Sequence, residues 1–185
     1  MEDKTIIDLY WNRSEEAISQ TDVKYGRYCY RIAYNILTNQ EDAEESVSDT
    51  YLAAWNHIPP TRPTVLSTFL GRITRNISIS RWRAMGAKRR GGGETDLAFE
   101  ELQECVSGKQ SIESDLIAKE ILKVLNRFLA DLPKENRIVF MRRYWYLDPI
   151  ATIAVSCGFS QSKVKTMLCR DRKKLKQILT KEGYV

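Results

Sequence analysis

The chain has 185 residues, of which 43% are hydrophobic and 29% charged; its formal net charge is +5 and its pI about 9.0. This is the make-up of a soluble globular protein with one medium or two small domains; with no run of about 18 apolar residues, no membrane insertion is expected. Cys29, Cys105, Cys157 and Cys169 form no CxxC pair and His57 is the only histidine, so neither a disulfide framework, a metal nor a cofactor is expected, and a reduced, cytoplasmic setting fits.

Almost every segment reads as helix. The charged opening Met1-Glu2-Asp3-Lys4 lacks the apolar stretch of a secretory signal. Ile6, Leu9, Tyr10 and Ile18 begin a first amphipathic helix, and a second runs through Val23–Leu37 to Thr38-Asn39. Asn39 is an expected N-cap for a third helix, whose first turns hold Glu41, Asp42, Glu44 and Glu45, where negative charge suits the helix dipole. Ala43, Val47, Tyr51 and Ala54 mark its buried face. The stretch 58–64 (IPPTRPT) has three prolines in seven residues and must be a loop. A fourth helix is expected from Val65 to Ala84, with Leu66, Phe69, Leu70, Ile73 and Ile77 as its apolar stripe. Arg72, Arg75, Asn76 and Arg83 then fall on the opposite face. Residues 85–111 are Gly-rich and acidic with little periodicity, which predicts an interdomain linker.

A second domain is expected over 112–185. Leu116, Ile117, Ile121, Leu125 and Phe128 predict one helix, ending before Leu132-Pro133. Lys134–Trp145 predicts another, with Ile138, Val139, Met141, Tyr144 and Trp145 as apolar positions. Asp148-Pro149 reads as a further start, a capping carboxylate followed by proline. Ile150–Ser156 supplies two turns, Gly158 the left-handed turn residue and Ser160 the next cap. Ala154 is small where these two helices would cross, and Ile153, Phe159, Val164 and Met167 supply apolar contacts. On the last helix Val164, Leu168, Leu175 and Leu179 should point inward. Gln161, Ser162, Lys165 and Thr166 should point outward near its N-terminus, the end that enters a major groove in a helix-turn-helix. Lys163, Arg170, Arg172, Lys173 and Lys174 would meet phosphates.

Charge is segregated along the chain. Residues 1–66 hold 6 basic and 11 acidic residues, 67–93 hold 7 and none, 94–115 hold 1 and 7, and 116–185 hold 15 and 6. Two basic blocks separated by an acidic one suggest two places that meet nucleic-acid phosphates. By itself the helix-turn-helix would serve any DNA-binding regulator. Asp42, Glu45 and Asp49 share a helix face and could in principle serve a nucleic-acid enzyme. Without histidine support, and beside so many arginines, they read instead as a protein-contact face, so the chain is not expected to be an enzyme.

Laid out together, these pieces resemble a bacterial RNA polymerase sigma factor of the small two-domain, extracytoplasmic-function (ECF) type of the sigma-70 family. EDAEESVSDTYLAAW (41–55) resembles the family's region 2.2 and TFLGRITRNISISRWR (68–83) its regions 2.3 and 2.4. Leu132-Pro133 followed by RIVFMRRY (137–144) resembles region 4.1, and the helix-turn-helix ending in RDRKKL (170–175) resembles region 4.2. The likeness covers most of the chain apart from the linker. Ser46, Ser48 and Ser80 stand where the family usually has leucine, glutamine and aspartate.

The resemblance implies an all-α protein of two small helical domains, 1–84 and 112–185, joined by a flexible acidic linker at 85–111. It implies a non-catalytic transcription-initiation factor whose partners are core RNA polymerase and promoter DNA, with an anti-sigma protein as a further partner of the kind the family often has. Glu45, Ser48, Asp49 and Leu52 would grip the polymerase clamp. Arg72, Arg75, Asn76 and Arg83 would face the minus-ten element, and the proline-rich loop would form the pocket for a flipped base. Phe69 or Trp82 could stack on the melted strand or belong to the core. Gln161, Ser162, Lys163, Lys165, Thr166, Arg170, Arg172 and Lys173 would meet the minus-thirty-five element. The linker would thread the polymerase's RNA path or serve as a solvated spacer. A stress or environmental response is the expected setting.

Overall fold

Asn12, Arg13 and Ser14 interrupt the first amphipathic stretch, and Arg13 takes a left-handed conformation (φ 56°) to do so. The computed structural model describes residues 1–85, 94–106 and 115–184, with side chains described for 1–85, 97–103 and 120–184. Among the described residues all regular elements are helices, as the all-α expectation requires. They divide into two units, Met1–Arg90 and Gly91–Val185.

The first unit contains α1 (Asp3–Trp11), α2 (Glu16–Leu37), α3 (Gln40–His57) and α4 (Leu66–Ala84). The break between α1 and α2 falls at 12–15, earlier than the apolar spacing suggested. Ser14 N–H donates to the Leu9 carbonyl at 2.9 Å and closes the turn, which puts Ile18 on α2, half-exposed at 37%. Thr21 lies inside α2, fully buried, with its hydroxyl 3.0 Å from that of Tyr10 on α1. Thr38 ends α2 in a left-handed cap (φ 53°). Asn39 caps α3 as expected, its side-chain oxygen accepting from Asp42 N–H at 3.0 Å.

The core of this unit gathers Ile6, Ile7 and Tyr10 of α1, Cys29 of α2, Val47, Tyr51 and Ala54 of α3, and Ile58, Leu66 and Leu70. Tyr51 and Ala54 are buried as their helical spacing predicted. On α4 the buried stripe is Leu66, Leu70, Gly71, Thr74, Ser78 and Ile79. Ile73 and Ile77, expected to belong to it, are only partly buried. The helix is turned because its partners need small residues. A Cβ at Gly71 would collide with the hydroxyl of Tyr28 on α2. Thr74 shares a hydrogen bond with Thr50 of α3 at 3.1 Å. Ser46, Thr50, Thr74 and Ser78 are all fully buried, and each returns its hydroxyl to the carbonyl four residues earlier at 2.7–2.9 Å. Buried hydroxyls satisfied this way carry little desolvation cost. They let α3 and α4 approach closely, which gives Ser46 a physical reason for its size.

The second unit contains α5 (Glu94–Val106), α6 (Asp115–Asp131), α7 (Lys134–Tyr144), α8 (Ile150–Cys157) and α9 (Gln161–Lys181). Within the expected linker 85–111, residues 94–106 form α5; residues 86–93 and 107–114 lie outside the described residues. α5 is tied down by Ala98, fully buried, and by the Glu101 carboxylate, which meets α7 and α9. Phe128, Phe140 and Tyr144 form an aromatic run, with ring centroids 5.5 and 4.6 Å apart. On α7 the buried positions are Val139, Phe140, Arg143 and Tyr144, while Ile138 is exposed at 42%. The inner face thus includes Arg143 and leaves out Ile138.

Asp148 does not cap α8. Pro149 occupies the N-cap position and no side chain caps the helix. The Asp148 side chain is 1% exposed and pairs with Arg142 at 2.9 Å. A buried carboxylate is drawn to a cation sooner than to a neutral N–H, because leaving it unpaired costs far more.

Candidate nucleic-acid interface

The helix-turn-helix forms as its residues predict. Gly158 ends α8 in the left-handed conformation (φ 67°), and Ser160 caps α9, accepting from Lys163 N–H at 3.2 Å. Ile153 and Ala154 of α8 are buried, so the two helices cross on a small residue. Val164, Leu168, Leu175 and Leu179 of α9 face inward. Asp171 joins them, its two carboxylate oxygens each accepting from the Asn136 amide at 3.0 Å. Burial pushes the Asp171 carboxyl above its ordinary range, against the hydrogen bond from Asn136.

Gln161, Ser162, Lys163, Lys165, Thr166, Arg170 and Lys173 are all exposed. They lie on the face opposite the leucines. Thr166 returns its hydroxyl to the Ser162 carbonyl at 2.9 Å, and Lys163 Nζ stands 3.4 Å from the centroid of the Phe159 ring. That cation–π contact holds one cation near the turn. The surface so formed has a polar, uncharged strip near the helix N-terminus and cations around and below it. Its donors suit base edges at the first and phosphates at the second. Arg172 turns inward, 19% exposed, with its Nη1 3.2 Å from Glu101 and 2.7 Å from the Tyr144 hydroxyl.

In the first unit α3 presents Glu45, Ser48 and Leu52 on one exposed face, with Asp49 partly buried beside them. Leu52 is 58% exposed, an apolar side chain on an acidic surface. Ser48 donates to the Glu44 carbonyl at 3.2 Å. Arg81 of α4, a residue the sequence reading did not single out, ion-pairs with Glu45 and bonds Asp49 at 2.7 Å. The hydrogen bond between Arg81 and Glu45 holds the Glu45 carboxyl below its ordinary range and the Arg81 guanidinium above its own. The pairing joins residues 32 and 36 positions apart. Only the i, i+4 alignment of Glu45 and Asp49 on α3 could have hinted at it.

Along α4, Arg72, Asn76 and Arg83 are exposed and Arg75 is partly buried. Burial first, then the neighbouring Arg83, pushes the Arg75 guanidinium below its ordinary value. Phe69 packs against the core, and Trp82 is half-buried. In the proline-rich loop Arg62 ion-pairs with Asp8 of α1 and lies over the Trp11 ring, 5.4 Å from its centroid. The loop is therefore fastened to α1 at the end where α4 begins. Among the described residues no helix is long and apolar enough to cross a membrane.

Residues 23–88 match the family described as Sigma-70 region 2, a span that takes in most of α2 and all of α3 and α4. No curated protein matches the chain in sequence. Among solved structures, one titled "Structure of CnrH in complex with the cytosolic domain of CnrY" is 20% identical, covers 98% of this chain and 99% of that chain, and has a TM-score of 0.43.

Proposed function

We infer that this chain, a member of the sigma-70 family by its region 2, is a sigma factor of the ECF type: a non-catalytic subunit that docks on core RNA polymerase and directs it to promoters. The observation that carries this reading is the region 2 match at residues 23–88. It falls on the helices that set an acidic, partly apolar face on α3 next to an arginine-bearing α4.

In this reading Glu45, Ser48, Asp49 and Leu52 meet the polymerase clamp. Arg72, Arg75, Asn76 and Arg83 contact the minus-ten element as it melts, where cations stabilise the strand and a base leaves the stack at a cost of a few kcal/mol. The helix-turn-helix is region 4. Gln161, Ser162, Lys165 and Thr166 read the minus-thirty-five element, and Lys163, Arg170 and Lys173 hold its phosphates. Neither reader needs high affinity alone, because each is delivered by a polymerase already bound. The regulated response is a stress or environmental response, and an anti-sigma protein is a further partner.

The test is reconstitution. Purified chain added to core polymerase is expected to yield transcripts from a defined set of promoters, while the chain alone binds the same duplexes poorly. Tight sequence-specific binding without polymerase, with no effect on transcription, would make it an autonomous helix-turn-helix regulator instead.

A further inference from the structure

Glu101 is the meeting point of the second unit's polar groups. Its Oε1 lies 3.3 Å from Arg143 Nη2, and its Oε2 lies 3.4 Å from Arg143 Nε. The same Oε2 accepts from the Tyr144 hydroxyl at 2.8 Å and stands 3.2 Å from Arg172 Nη1. Arg143 comes from α7 and is 1% exposed at its side chain; Arg172 comes from α9. Two guanidiniums and a phenol converging on one carboxylate form a donor set for an oxyanion, forked on the Arg143 side.

The helix that brings Glu101 is held by a short apolar face and by that carboxylate. Of the α5 side chains described, 97–103, Ala98 is buried, Phe99 and Leu102 are partly buried, and Leu97 is 44% exposed. The ion pairs of Glu101 add to the packing of these side chains. Charge points the same way: α5 has five acidic residues and no basic one, while α9 has eight basic residues and one acidic. Arg172 sits in the chain between Arg170 and Lys173, both exposed. It alone of the cations expected to meet phosphates on α9 is turned toward α5.

We propose that Arg143, Tyr144 and Arg172 form a binding site for a backbone phosphate of duplex DNA, and that Glu101 of α5 fills it in the free chain. The exchange is charge-balanced, one anion for another. DNA must displace α5 before Arg172 can join Lys163, Arg170 and Lys173 on the phosphates. This rests on the reading of α9 as the DNA-binding helix.

The experiment is fluorescence anisotropy of the full chain with a mixed-sequence duplex, titrated over a range of salt. Glu101→Gln is expected to tighten binding several-fold and to steepen the dependence of log K on log salt by about one, the contribution of one further phosphate contact. Glu100→Gln removes the same charge from an exposed neighbour and should leave the slope unchanged. Adding Arg172→Ala to Glu101→Gln should cancel the gain. Should Glu101→Gln lose its helical circular dichroism, Ala98→Gln lifts α5 with Glu101 intact and carries the same expectation. Equal behaviour of Glu101→Gln and Glu100→Gln, with Lys165→Ala and Arg170→Ala still weakening binding, overturns the phosphate site alone. If Lys165→Ala and Arg170→Ala leave binding unchanged, α9 is not the DNA-binding helix and both readings fall.

Discussion

The two basic helices of this chain, α4 and α9, meet their neighbours with opposite chemistry. α9 buries large aliphatic side chains, Val164, Leu168, Leu175 and Leu179, and keeps most of its cations in solvent. α4 buries glycine and hydroxyls at Gly71, Thr74 and Ser78, and draws two of its arginines partly into the protein. Arg75 is half-buried, and Arg81 spans Glu45 and Asp49 on α3. The difference matches the tasks proposed for them. A helix that reads intact duplex needs only a firm back and an exposed front. A helix that works on DNA as it opens, alongside a polymerase-binding face, is built into that face. Arg81 is the joint between the two.

The comparison can be broken first by packing. Leu168→Ala should cost about 2–5 kcal/mol, the usual range for a buried leucine, measured by urea unfolding followed at a probe in the second unit. Gly71→Val should cost about 1–3 kcal/mol in the first unit, from overpacking against Tyr28. If Gly71→Val were neutral, α4 would not be held by close approach. A second contrast is electrostatic. Asn136→Ala should destabilise the second unit by about 1–3 kcal/mol, because Asp171 loses its amide donor while staying buried. Burial already holds the Asp171 carboxyl above its ordinary value. Its ionised form is therefore disfavoured in the folded state, and stability falls as pH rises from the ordinary aspartate range through the raised folded value. Asn136→Ala should enlarge that fall, so its difference from the parent chain should shrink as the medium is acidified. The smallest effect is local: Ser160→Ala should cost about 0.5–2 kcal/mol through the lost N-cap.

These contrasts also explain what could be read in advance. α9, its cap at Ser160 and its turn at Gly158 were legible because aliphatic periodicity, a capping residue and a left-handed glycine are local features that agree. Asn39 was legible for the same reason. The buried face of α4 was not. Isoleucines at 73 and 77 outscore Thr74 and Ser78 on any hydrophobic count, yet the hydroxyls fit the narrow gap to α3. Asp148 resembled a cap but found Arg142. Arg172 looked like one more cation on a basic helix, and Glu101 like one more acid in a spacer. Their meeting joins positions 71 residues apart, and no local pattern encodes such a pair.

The central claim is that the α3 face docks the chain on polymerase. The most direct measurement is the affinity of the chain for core RNA polymerase, compared with Leu52→Arg and with the double variant Glu45→Lys/Asp49→Lys, each checked for unchanged helical circular dichroism. Leu52 and Glu45 are exposed and Asp49 is partly buried beside them; both changes are expected to weaken binding by tenfold or more, corresponding to at least about 1.4 kcal/mol, and to reduce promoter-dependent transcription in step. Undiminished binding by both folded variants would contradict the account.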